Sequence, residues 1–102
     1  MNSISKVSDI TTNDLAEYIR IVDYSPEEEN TLSNLLEIAK TFISKYTGQT
    51  DLDKYQDFVI VVLILCQDMY DNRTLYIDKG SLSYPVETIL GMHSVNLLWV
   101  NQ

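Results

Sequence analysis

The stretch FVIVVLILC, residues 58–66, contains nine apolar residues without a break and decides the fold of the chain. A membrane-spanning helix needs about twenty such residues, so this stretch is too short to cross a bilayer. Its Val and Ile content favours a strand. However, the segment without Gly or Pro around it extends to Asn72 and is far longer than a typical strand. Because the flanking apolar residues also keep helical spacing, we predict one helix over about residues 53–72.

A helix that is apolar on every side is normally covered on every side. We therefore predict an all-α fold, a small bundle of about four helices in which the helix at 53–72 is central. Three other short helices can leave part of its surface exposed, and we expect that part to contact a second copy of the chain. The length of 102 residues indicates a single domain that comprises the whole chain.

The second predicted helix has clear signals at both ends. Ser25 is followed by Pro26 and, three residues after Ser25, by Glu28, which is the pattern of a capping box with Pro in the first turn. Apolar residues then recur at steps of three and four as far as Tyr46. Gly48 is a residue type that commonly ends helices. These signals predict a helix over about 26–47.

Two shorter helices are expected on either side of this pair. The first follows a run of helix-capping residue types and ends near Arg20. The last is capped by Ser83 or Tyr84 and starts at Pro85. We expect its apolar residues, Met92 among them, to pack inward.

The remaining segments are predicted to be irregular. Residues 1–10 are polar with scattered apolar positions, and we expect a flexible, loosely ordered arm there. Residues 74–77 are expected to form a loop with a short extended piece. Residues 93–102 are predicted to form a tail that is either a strand or a docking segment, because Leu98 and Trp99 lie in an apolar run there.

The charge of the chain argues against two classes of partner. There are 7 basic and 15 acidic residues, which gives a net charge of −8. Nucleic-acid binding requires clustered Lys and Arg that displace phosphate counterions, and the two arginines, Arg20 and Arg73, form no basic cluster in the sequence. Docking on an anionic membrane is disfavoured for the same reason. We expect neither tight DNA or RNA binding nor a membrane partner.

Cysteine usage indicates a reducing compartment. Cys66 is the single cysteine of the chain, so no internal disulfide can form. It lies inside the apolar run, where cysteine usually behaves as a small buried hydrophobic residue. The first ten residues contain no apolar signal core, and we therefore do not expect secretion by that route.

No catalytic or metal motif is evident in the sequence, and we predict neither an enzyme nor a bound cofactor. The single histidine, His93, is more simply a surface or capping residue than a catalytic base. Asp51 and Asp53 resemble the start of a calcium loop. The match fails because Gln56 and Val62 stand where that loop needs Gly and Glu.

Six residues are candidates for contacts with a partner or a second copy. Glu27 and Glu28 belong to an acidic run that is either a partner site or a solvated helix start, where the helix dipole favours negative charge. Arg73 follows a predicted helix end, so it either interacts with that dipole or pairs with an acidic residue of a neighbouring subunit. The other candidates are Arg20, Leu98 and Trp99.

The order of these segments resembles a known family. A short helix with Tyr18–Ile21 leads into the acidic loop Tyr24–Glu29, and the long helix that follows closes with Tyr46–Gly48. The apolar helix ends in Met69–Arg73, MYDNR, and a late helix follows in Leu82–Leu90, LSYPVETIL. Over residues 12–92, this order is similar to that of the head–tail connector (adaptor) proteins of long-tailed bacteriophages.

The resemblance implies a structural virion protein without catalysis. Such a protein is a small helical subunit of a homo-oligomeric ring, commonly dodecameric, at the head–tail junction, and it occupies the host cytoplasm before assembly. The implied partners are other copies of the chain, the portal protein, and the stopper or tail-completion protein, while double-stranded DNA passes through the channel without specific binding. The alternative is a small acidic helical regulator that binds a cytoplasmic partner, for instance by charge mimicry at a basic nucleic-acid site.

Overall fold

The computed structural model describes residues 4–95, which are all-α, with no strand among them. Four α-helices carry the fold: α1 Thr12–Ile19, α2 Pro26–Thr47, α3 Phe58–Asn72 and α4 Tyr84–Met92. Three short 3-10 turns connect or precede them: Val7–Asp9, Leu52–Lys54 and Lys79–Ser81. The predicted small all-α bundle is confirmed.

The helix α3 is the centre of the bundle, since it packs against α1, α2 and α4. At 3.6 residues per turn, its buried residues cover roughly 200° of the helix circumference. They are Phe58, Val59, Val61, Val62, Leu63, Leu65, Cys66 and Met69. Ile60 is 39% exposed and Ile64 is half-buried. The central apolar helix is therefore present as predicted, and it is partly exposed along the side that carries Ile60 and Ile64.

The two longest helices, α2 and α3, run antiparallel. The Tyr70 hydroxyl near the end of α3 donates to Glu28 Oε2 in the first turn of α2, at 3.4 Å. At the opposite end, Gln49 beyond α2 and Asp57 before α3 both bind His93. The short α1 and α4 each pack against both members of this pair.

The predicted start of the central helix at residue 53 is wrong, because α3 begins only at Phe58. The Asp51 carboxylate accepts a hydrogen bond from the backbone N–H of Asp53 at 3.1 Å, which favours a local turn over helix. Residues Leu52–Lys54 accordingly form a 3-10 turn, and Tyr55 then has an extended backbone with φ −123° and ψ 115°.

Both ends of α2 lie where the sequence signals place them. Ser25 Oγ accepts a hydrogen bond from the Glu28 N–H at 3.2 Å, and Glu28 Oε1 accepts one from the Ser25 N–H at 3.4 Å. At the other end Gly48 has φ 76°, the left-handed conformation that glycine adopts without strain. Its N–H donates to Ser44 O at 2.8 Å.

Replacement of Ser25 by Ala is expected to lower the free energy of unfolding by about 1 kcal/mol, because it removes a side-chain cap from α2. Ser83→Ala is the matched control, since Ser83 is the N-cap of α4 but makes no side-chain cap hydrogen bond. Urea denaturation followed by circular dichroism measures the free energy of unfolding of both variants and of the wild-type chain. Equal losses in the two would contradict the assigned role of the Ser25 hydroxyl.

Val7 and Ile10 belong to the core, which corrects the expectation of a loose arm at these positions. Val7 and Ile10 are 2% and 5% exposed. They stand three residues apart on and just after a 3-10 turn, which places both on the same side. Ser8 anchors the turn, because its N–H and hydroxyl donate to the Asp53 carboxylate at 2.9 and 2.6 Å. These hydrogen bonds hold the pKa of Asp53 below its usual value.

The last helix packs largely as expected, with one difference. Val86 and Leu90 are buried on the inner side of α4. Met92 is 67% exposed, contrary to the predicted inward packing. It stands two residues beyond Leu90, which places it on the far side of a helix with 3.6 residues per turn. Residues 74–77 form a loop without a strand.

Candidate interaction surface

The two arginines that the sequence singled out occupy equivalent positions in the fold. Arg20 is the C-cap of α1 and Arg73 the C-cap of α3, with φ values of 71° and 57°. Both residues are exposed. Neither side chain takes part in an ion pair within residues 4–95, so each is available to a carboxylate of another molecule.

The two glutamates differ in their surroundings. Glu27 is exposed in the first turn of α2. Glu28 is half-buried and is engaged by Ser25 and by the Tyr70 hydroxyl, so its carboxylate serves the fold. The Tyr70 contact brings the first turn of α2 beside the end of α3, where Arg73 follows. Within the described part of the chain, no hydrogen bond or ion pair joins Arg20 to Glu27, Glu28 or Arg73.

Leu98 and Trp99 lie outside the described residues, as does most of the predicted tail. The last described contacts show where the tail leaves the fold. The Val95 N–H donates to Thr47 O at 2.6 Å. A Cβ placed on Gly48 would lie 3.4 Å from Val95 Cβ, which shows how closely Val95 approaches the end of α2.

His93 fixes the end of α4 to the region just before α3. Its Nε2 lies 2.9 Å from Asp57 Oδ2, within hydrogen-bond distance. Its ring stacks on Tyr55 with 3.9 Å between centroids and meets Phe58 edge-on at 5.3 Å. Within residues 4–95, His, Cys, Asp and Glu form no group of three or more suited to holding a metal ion. The contacts of His93 are those of a packed structural residue.

The loop after α3 and the outer side of α2 enclose an apolar groove of about 380 Å³. We define the apolar groove by the residues that line it: Glu37, Ile38, Thr41, Phe42, Leu75, Tyr76 and Ile77. Leu75 and Tyr76 are 62% and 66% exposed, which is unusual for two adjacent large apolar residues. The groove is therefore a candidate docking site.

Exposed apolar side chains are also found on α3 and α4. Ile60 on α3 borders a shallow hollow that also includes Ile4 and Tyr55. On α4, Tyr84 and Met92 are 79% and 67% exposed and stand eight residues apart, on the same side of the helix. No residue of α4 lines the hollow beside Ile60. Among the helices of residues 4–95, exposed apolar side chains thus form two separate surfaces besides the groove, the α3 surface at Ile60 and the α4 surface at Tyr84 and Met92.

The Cys66 thiol is expected to be unreactive in the folded protein. It is buried in α3, and burial raises its pKa to about 12. Because the thiolate is the reacting species, a thiol reagent such as dithiobisnitrobenzoate should modify Cys66 only when the chain unfolds. The rate of Cys66 modification is measured from the release of the coloured product, with and without denaturant. Equal rates under both conditions would contradict the buried position of Cys66.

Sequence reasoning missed the groove and the His93 cluster. Both depend on segments that are distant in the chain: residues 37–42 with 75–77, and residues 55–58 with 93. The apolar run Leu75–Ile77, which stands between polar residues, was the available signal for the groove. Nothing local to His93 indicates that Tyr55 and Asp57 lie against it.

Comparisons of the chain with protein-family models, with curated proteins and with solved structures gave no significant match in any of the three. Within residues 4–95, no helix combines the length and apolar character that crossing a bilayer requires.

Proposed function

We propose that this chain is a structural virion protein of a long-tailed bacteriophage. In this proposal it is a subunit of the ring that joins the portal vertex of the DNA-filled head to the tail or stopper protein and extends the DNA channel. It catalyses no reaction. It acts at the head–tail junction of the virion, after synthesis in the host cytoplasm.

The first support is the position of the motifs that carry the resemblance. Tyr18–Ile21 lies at the end of α1, and Tyr24–Glu29 includes the N-cap and first turn of α2. Tyr46–Gly48 closes α2, and Met69–Arg73 closes α3. Leu82–Leu90 contains the start of α4. The motifs thus coincide with helix ends in a bundle of the expected class.

The observation that carries the proposal is the pair of separate apolar surfaces on α3 and α4. In a closed ring, each subunit contacts its two neighbours through two different and complementary surfaces. Ile60 on α3, and Tyr84 with Met92 on α4, are exposed apolar side chains around which two such surfaces could form on a chain of 102 residues.

The charges are compatible with such an assembly. Arg20 and Arg73 are exposed and unpaired within residues 4–95, and acidic residues are abundant on the same chain. Ion pairs between subunits would offset part of the repulsion among copies that each carry a net charge of −8. A surface poor in Lys and Arg also lets DNA pass through a channel without binding to it.

The role of α4 in ring contacts can be tested with Tyr84→Glu. This change places a charge on the proposed apolar surface, and a glutamate in the first turn of α4 is compatible with the helix dipole. Val22→Glu is the matched control, because Val22 is also 79% exposed but lies in the loop between α1 and α2.

Sedimentation velocity at high protein concentration, with and without the portal protein of the same genome, measures assembly. We expect rings from the wild-type chain and Val22→Glu, and loss of rings from Tyr84→Glu with unchanged circular dichroism. Equal assembly of the two variants would exclude α4 from the interface.

One observation favours a second candidate, an acidic regulator of a basic partner. The first turn of α2 carries Glu27–Glu29, and the Tyr70 hydroxyl contacts this turn from the end of α3, which also carries Asp68 and Asp71. Burial, and then the nearby Asp71, raises the pKa of Asp68. A regulator would stay monomeric or dimeric in light scattering and bind a basic protein with steep salt dependence.

A further inference from the structure

The apolar groove between α2 and the loop 74–77 is open within the described part of the chain. Its apolar lining comes mainly from Ile38 and Phe42 on α2 and from Leu75 and Tyr76 on the loop. Glu37 is the single charged residue that lines it. A neutral, apolar segment could enter this groove without desolvating a charge of its own.

The chain supplies such a segment close by. Residues 96–102 read NLLWVNQ and include no charged side chain. They follow Val95, which is bound to Thr47 O and lies against Gly48 at the end of α2. The segment therefore leaves the fold beside the same helix that forms one wall of the groove.

The distance along α2 is within reach of this segment. A helix rises about 1.5 Å per residue, so Phe42 is about 9 Å and Ile38 about 15 Å along the axis from Gly48. The four residues from Val95 to Trp99 span up to about 13–14 Å when extended. Tyr46 stands between Gly48 and Phe42 along α2. Its ring lies next to that of Phe42, with 5.7 Å between ring centroids.

We propose that the groove binds the chain's own C-terminal segment, with Leu97–Val100 as the bound residues and the Trp99 ring against Phe42 and Tyr76. The tether between Val95 and the bound residues is so short that its effective concentration at the groove greatly favours the same chain over a second copy. This inference is independent of ring assembly. A partner that binds the tail therefore competes with the groove for the same residues.

Trp99 is the only tryptophan of the chain, so tryptophan fluorescence reports its surroundings directly. We expect the folded wild-type chain to emit at shorter wavelength than the urea-unfolded chain and to resist quenching by acrylamide. Leu75→Asp places a charge at the groove on an exposed loop position. It should shift the emission toward the unfolded value and increase quenching, without loss of helical circular dichroism.

Val22→Asp is the control, because Val22 is exposed at a site away from the groove, and it should leave the emission unchanged. Deletion of residues 96–102 should keep the helical signal and increase the binding of an apolar dye. A solvent-like emission in the wild-type chain would overturn the proposal. So would a shielded Trp99 that Leu75→Asp does not affect, since the tail would then bind elsewhere. An emission shift that grows with protein concentration would assign the groove to a second copy and overturn binding within one chain. None of these readouts depends on ring formation.

Discussion

Val62→Asp is expected to abolish the folded state. Val62 is fully buried in the middle of α3, and α3 is the helix that packs against all three others. An isolated carboxyl group there costs several kcal/mol, whether it stays charged or takes up a proton. A small domain is stable by only about 5–15 kcal/mol. Circular dichroism should show loss of the helical signal and of a cooperative thermal transition.

Ile60→Asp is the matched control for this experiment. Ile60 is on the same helix, two residues earlier, but it is 39% exposed. Its substituted carboxylate can reach solvent, so this variant should retain the helical signal with a modest loss of stability. A Val62→Asp variant that stays folded and soluble would show that the central position of α3 is wrong.

Phe58→Ala is expected to have the next largest effect on stability. Phe58 is fully buried at the start of α3, with its ring 5.4 Å from that of Tyr55 and 5.3 Å from that of His93. Removal of a buried Phe side chain typically costs about 3–5 kcal/mol through lost burial and a residual cavity. With a shift of about 4–8 °C per kcal/mol in a domain of this size, Tm should fall by more than about 10 °C.

Phe42→Ala provides the comparison for Phe58→Ala. Phe42 has the same side chain, but it is half-buried on the outer side of α2, so its removal leaves a smaller cavity. Thermal denaturation followed by circular dichroism should show a clearly smaller fall in Tm for Phe42→Ala. A similar fall in both variants would contradict the anchoring of residues 55 and 93 around Phe58.

The sequence predicts most accurately those elements whose signals are local. Both ends of α2 were predictable because Ser25, Glu28 and Gly48 act on backbone groups within a few residues of themselves. The presence of α3 was also predictable, because the unbroken segment is far longer than a typical strand and its flanking apolar residues keep helical spacing. Its start was not, because the turn that Asp51 caps competes locally with helix formation.

The errors concern residues whose environment is set by distant parts of the chain. Val7 and Ile10 look isolated in a polar segment, and only the fold shows that they pack in the core. Met92 stands two residues after the inward-facing Leu90 and lies on the opposite side of α4. The same reason applies to the groove, because the residues that line it, 37–42 on α2 and 75–77 on the loop, lie more than thirty residues apart in the chain.

The predicted interface residues divide in a similar way. The exposure of Arg20 and Arg73 follows from their position at helix ends, which the sequence could indicate. In the sequence, Glu27 and Glu28 share one acidic run, and only the capping-box pattern distinguishes Glu28. The fold separates them, because the Tyr70 hydroxyl from α3 and the Ser25 cap engage only Glu28. Glu27 therefore remains the better candidate for contacts with another molecule.

The most direct test of the proposed role uses negative-stain electron microscopy. The wild-type chain is mixed with the portal protein of the same genome, and the size and shape of the resulting assemblies are measured. The proposal predicts closed rings of this chain stacked coaxially on the portal ring. A chain that stays monomeric at high concentration and leaves the portal rings undecorated would contradict it.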